Sequence, residues 1–152
     1  MQLEFWQQIV IIIFTLYAFS SLIFGFKEIK NKNAYGITPQ YYFLGSFVWG
    51  DALIFGLFWT VTSLTILFLN DWILFLLLYS LFWVVRSVGE TIYWFHNQFT
   101  NIEKYKLNKM PGYKLVQSDA LWFIYQIMNQ CITVVTLVTS IYLAAIWIKQ
   151  IL

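Results

Sequence analysis

Residues 72–95 read WILFLLLYSLFWVVRSVGETIYWF. The run exceeds the roughly 20 apolar residues that cross a bilayer as a helix. Its only formal charges are Arg86 and Glu90. A charge at bilayer depth costs roughly 2.5–3.5 kcal/mol on insertion scales. A chain that keeps two of them in such a run is expected to turn them toward protein, a partner charge or water. They are four residues apart and therefore share one helix face, which Tyr93 continues.

Working outward, three more runs have the same character: about 6–26, 39–69 and 120–148. Asn70 and Asp71 leave room only for a tight turn between the second and third. Thr38 followed by Pro39 reads as a helix start, and Ser118 and Asp119 as caps for the last helix. The composition agrees. Of 152 residues 61% are hydrophobic and 11% charged, far below the roughly 25% charged of a soluble domain. Eight Trp residues suit the interfaces at several helix ends. The first run is too long for a signal-peptide core, and no small-residue cleavage pattern follows it. The expected fold is all-α: one membrane domain over 1–152, a four-transmembrane-helix bundle.

Lysines set the expected orientation. Lys27, Lys30 and Lys32 lie in the first loop, and Lys104, Lys106, Lys109 and Lys114 in the third. Four spans put these loops on one side, and the excess of Lys marks it as cytoplasmic. Loops 27–38 and 96–119 are then cytoplasmic and both termini non-cytoplasmic, in a plasma or inner membrane. The third loop, with Tyr105 and Met110-Pro111-Gly112, is expected against anionic headgroups.

At about 1.5 Å per residue, each helix contributes polar groups at one depth in the cytoplasmic half. These are Ser20 and Ser21 on the first helix, Asp51 on the second, Arg86 and Glu90 on the third, and Gln126, Asn129 and Gln130 on the fourth. Thr133, Thr136 and Ser140 extend the last group as a stripe of helical spacing. Lipid cannot satisfy such a stripe, so it should face protein or water. An Asp51–Arg86 pair would lock the second helix to the third. Equally, Asp51 and Glu90 outnumber Arg86, an imbalance common in proton- or cation-coupled transport. Gly45, Ser46, Gly50, Gly56 and Gly89 read as sites of close helix approach.

Several chemistries have no support. With one histidine, His96, a His-rich metal site or bis-histidine haem is excluded within one chain. His96 reads as interfacial, with a proton relay through Tyr93 as its functional alternative. The single Cys131 reads as a small buried residue, with no disulfide framework. There is no phosphate loop, G-x-S-x-G elbow or H-E-x-x-H, so an enzyme is disfavoured and neither cofactor nor metal is expected. A net charge of +2 gives no reason to expect nucleic acid.

The first loop resembles the PQ-loop transporters, the group that includes the SWEET and SemiSWEET sugar carriers. The parallel residues are Lys30-Asn31-Lys32, Gly36-Ile37-Thr38 and Gly50-Asp51. The resemblance implies a solute carrier with an outward N-terminus. The chain departs from it in having Ile23-Phe24 where the namesake Pro-Gln belongs, in placing Pro39-Gln40 after the turn, and in a fourth helix beyond the three-helix unit.

Two functions fit these residues. The first is a small oligomeric transporter or channel-like protein using Asp51, Arg86, Glu90, Gln126, Asn129 and Gln130. The second is a non-catalytic subunit or assembly factor of a larger membrane complex. Expected partners are the lipid bilayer and either a homo-oligomer or other membrane chains.

Overall fold

A computed structural model of the chain describes residues 3–99 and 111–152. Lys104, Tyr105, Lys106, Lys109 and Met110 of the third loop lie outside the described residues. The elements are α1 (Phe5–Lys30), a 3-10 helix (Pro39–Leu44), α2 (Trp49–Leu69), α3 (Trp72–Phe99), a one-turn α4 (Tyr113–Val116) and α5 (Ala120–Ile151). Among the described residues the fold is all-helical, and α1, α2, α3 and α5 are long and apolar enough to cross a membrane. The chain divides into two compact units, Met1–Leu76 and Leu77–Leu152.

The first unit is an α1–α2 hairpin built on small residues. Ala18, Ser21 and Gly25 of α1 are buried, as are Ala52, Gly56 and Ser63 of α2. A Cβ on Gly56 would stand 2.5 Å from the Leu22 backbone nitrogen, and one on Gly25 would stand 2.6 Å from that of Leu53. Ser21 Oγ donates to the Ala52 carbonyl at 3.0 Å across this contact. The backbones thus meet where side chains would hold them apart. The fully buried Trp59 closes the hairpin interior, edge-on to Phe14 at 5.4 Å.

The second apolar run is not one helix from Pro39. Pro39 opens the 3-10 helix, which ends at Gly45 in the left-handed region (φ 76°). The chain then pairs briefly with the preceding loop, Ile37 against Val48, before α2 begins at Trp49. Thr38 does not cap with its side chain. Its buried hydroxyl donates to the Ser46 carbonyl at 2.9 Å and clasps the loop. Pro39 supplied the helix-start signal, but Gly45 supplied the stop, because a glycine adopts positive φ at little cost. α1 runs on to Lys30, since Lys27 and Lys30 suit the negative end of a helix dipole.

At the next turn Asn70 ends α2 in the left-handed conformation (φ 59°), and its side chain accepts the Leu3 N–H at 3.1 Å. Asp71 Oδ1 accepts the Leu74 N–H at 2.9 Å, capping α3 as expected. Before α5 it is Ser118 whose hydroxyl accepts a backbone N–H, that of Ala120 at 3.3 Å.

Candidate functional site

In the second unit α3 and α5 run side by side and are joined by a ladder of side chains. Ser140 Oγ donates to Ser80 Oγ at 2.9 Å, and Ser80 Oγ donates to the Thr136 carbonyl at 2.8 Å. Ser87 and Thr133 share a hydroxyl–hydroxyl bond of 2.8 Å. Nearer the α3 C-terminus, Gln98 Nε2 donates to Gln126 Oε1. As the α3 number rises from rung to rung, the α5 number falls, which is the signature of antiparallel helices. Hydroxyls suit such a seam because they can also bond a carbonyl one turn back in their own helix, as those of Ser87, Thr133, Thr136 and Ser140 do. Thr133 bonds Asn129 in this way, at 2.9 Å, and Thr136 bonds Ile132 at 2.7 Å.

Arg86 and Glu90 stand on α3 among these rungs. Arg86 Nη2 lies 2.9 Å from Glu90 Oε1, with the two side chains 17% and 10% exposed. The pairing follows from the i, i+4 spacing, which brings both groups to one face. Both charges therefore sit on one helix, largely out of solvent. One turn on, Trp94 is buried between Trp122 and Tyr125 of α5 and stacks on Tyr125 at 4.7 Å. Tyr125 in turn donates its hydroxyl to the Pro111 carbonyl at 3.0 Å.

The expected site residues separate into groups. Asn129 is buried at 2% exposure, and its amide donates to the Tyr125 carbonyl at 2.8 Å. Gln126 belongs to the ladder. Gln130 is exposed, at the edge of an open groove of about 300 Å³ lined by Val88, Thr91, Ile92, Gln130, Thr133 and Val134. Tyr93 and His96 are exposed, whereas Glu90 is buried. Cys131, expected to be buried, is exposed on α5.

Asp51 lies in the first unit and does not occupy the helix interior. It is the third residue of α2, where its Oδ2 accepts the Phe47 N–H at 3.2 Å. There a carboxylate meets free N–H groups and the positive end of the helix dipole. The first helix contributes Ser20, bonded to the Tyr17 carbonyl at 2.7 Å, and Ser21, spent on the hairpin contact.

Ser80 and Ser87 are not among the expected site residues. Their signal was present: 80, 87, 91, 94 and 98 fall on one face of α3 by helical spacing, and all but Trp94 are polar. Among the described residues no group of three or more His, Cys, Asp or Glu is arranged to hold a metal. The chain matches no protein-family model, no curated protein and no solved structure.

Proposed function

We propose that this chain is a small membrane-embedded transporter or channel-like protein that works as an oligomer, with Arg86 and Glu90 as its ionisable element. The observation that carries the reading is an ion pair inside an otherwise apolar helix. Buried pairs are weak stabilisers, because desolvation cancels most of the attraction. The 2.9 Å contact of this pair lies within α3. The hydroxyl ladder already joins α3 to α5. Charges kept at such depth are characteristic of ion and proton pathways. Gln126, Asn129 and Gln130 are the polar groups that α5 would contribute, and Asp51 belongs to the entry to α2. The basic segments face the cytoplasm in this reading, and both termini face away from it.

The ladder favours a second reading. A seam of hydroxyls is ordinary helix–helix glue, and a well-glued α3–α5 pair with wide apolar faces would serve as a subunit or assembly factor of a larger complex.

Flux separates the two. Purified full-length protein in sealed vesicles, with a pH dye inside, should dissipate an imposed proton or cation gradient. Glu90→Gln should lower the rate at least tenfold without loss of helicity. Vesicles that behave like empty ones would leave the subunit reading in place.

A further inference from the structure

The chain between α1 and α2 does not stay at the helix ends. α1 stops at Lys30 and α2 starts at Trp49, and the hairpin sets these ends side by side, with Gly25 against Leu53 and Gly56 against Leu22. The two arms of the connecting chain pair with each other. Ile37 bridges Val48, the Trp49 N–H donates to the Gly36 carbonyl at 3.1 Å, and the Thr38 N–H donates to the Phe47 carbonyl at 3.0 Å. From that base the chain folds back along α1 and α2. The Tyr17 hydroxyl donates to the Gln40 carbonyl, the Ser20 and Tyr41 hydroxyls share a bond of 3.2 Å, and Trp59 Nε1 donates to the Leu44 carbonyl at 3.3 Å.

These contacts measure depth. Ser20 stands ten residues before the end of α1, and Trp59 ten residues after the start of α2. Both are about 15 Å along their helices, and Tyr17 is about 20 Å along α1. Allowing for side-chain reach, the turn at Gly45 lies roughly 10 Å inside the helix ends. The 21 residues of α2 span about 31 Å, close to the hydrocarbon thickness of a bilayer, so Trp49 marks its boundary. The sequence fits that depth, since residues 33–50 carry no formal charge, between Lys32 and Asp51. Irregular backbone is tolerated there when protein satisfies its polar groups. The Gln40 and Leu44 carbonyls take side-chain donors, the Gly45 N–H donates to the Tyr42 carbonyl at 2.9 Å, and Thr38 clasps the Ser46 carbonyl.

We infer that residues 37–48 form a re-entrant hairpin, which enters one leaflet of the bilayer and leaves on the side it came from. Its partner is the acyl-chain layer of that leaflet, not the aqueous phase. The 3-10 helix Pro39–Leu44 is apolar because it lies at membrane depth, although it is no part of a spanning helix. α2 alone then makes the second crossing. The inference rests on α1 and α2 crossing the membrane. It depends neither on transport nor on which side is cytoplasm.

The test reads depth in lipid vesicles holding the full-length protein. In a Cys131→Ser background, a fluorophore is attached to Phe43→Cys, Tyr35→Cys, Phe19→Cys or Phe26→Cys, all at exposed positions. It is then quenched by lipids spin-labelled either at the headgroup or in mid-chain. Phe19 and Phe26 are the ruler, about 10 Å apart along α1. Phe43 should track Phe19, with mid-chain quenching about twofold or more above headgroup quenching, and Tyr35 should show the reverse. Gln40→Cys, exposed on the same 3-10 helix, gives a second reading and should agree with Phe43. Headgroup-dominated quenching at both sites, or none by either lipid, would overturn the inference. Equal ratios at Phe19 and Phe26 would also overturn it, because α1 would then not cross. Depth is read without flux, so vesicles that conduct nothing fail the transport reading and leave this one standing.

Discussion

Truncating Arg86 to alanine leaves the Glu90 carboxylate buried without its cation. Removing one partner of a buried pair typically costs about 3–5 kcal/mol, most of it the stranded charge. Arg86→Ala should therefore destabilise the protein more than Arg86→Ala combined with Glu90→Ala, measured by reversible unfolding in mixed micelles. Simple additivity would mean that the 2.9 Å contact carries no coupling. Asp51 has a different task. As the third residue of α2 it accepts the Phe47 N–H and offsets the helix dipole. Asp51→Asn keeps an acceptor and loses only the charge, worth about 0.3–1 kcal/mol at a helix end. Its loss of stability, read by the same unfolding measurement, should stay within that range. A loss of several kcal/mol would mean that the carboxylate does more than offset the helix dipole.

Glycine makes the contrast at the scale of the helix. Gly56→Ala drives a methyl into the Leu22 and Ala18 backbone of α1, which cannot yield as a flexible side chain would. Overpacking of this kind costs about 1–3 kcal/mol. Gly89→Ala meets open space, and alanine is the better helix former by roughly 0.5–1 kcal/mol. The unfolding midpoint should fall for Gly56→Ala and hold or rise for Gly89→Ala. Equal losses at both positions would contradict the packing described for α1 and α2. Composition and spacing alone could not rank these two glycines, because both sit in apolar runs. The same limit explains the second helix. Hydropathy runs unbroken from 39 to 69, but the Gly45 turn is a backbone event that hydropathy does not register. The Arg86–Glu90 pair was legible, since it depends only on a spacing of four. The outward turn of Gln130 was legible in part. At 100° per residue it stands about 80° from the centre of the stripe formed by Gln126, Asn129, Thr133, Thr136 and Ser140. Ser80 and Ser87 escaped because a lone serine in an apolar helix reads as neutral until its partner helix is known.

For the whole molecule the open physical question is which way the helices point. The two units are each held by contacts that a mirror-image insertion would leave intact. The hairpin of small residues and the hydroxyl ladder are indifferent to which side is cytoplasm. Orientation therefore rests on the lysines, whose positions in the first and third loops agree with each other across four spans. Moving them to the far side would work against the bias that retains Lys and Arg in the cytoplasm. Asn33 lies in the first loop and is exposed, and Gln150 lies at the other end of the chain, also exposed. In a Cys131→Ser background that removes the exposed native thiol, an impermeant maleimide should label Gln150→Cys in intact cells. Asn33→Cys should react only after the membrane is opened. The reverse pattern would place the basic loops outside, and labelling of both in intact cells would mean that an odd number of helices does not cross. The reverse pattern would also move Arg86 and Glu90, on the α3 half that leads toward the third loop, from the cytoplasmic to the opposite half of the bilayer, and with them the side from which an ion reaches the pair.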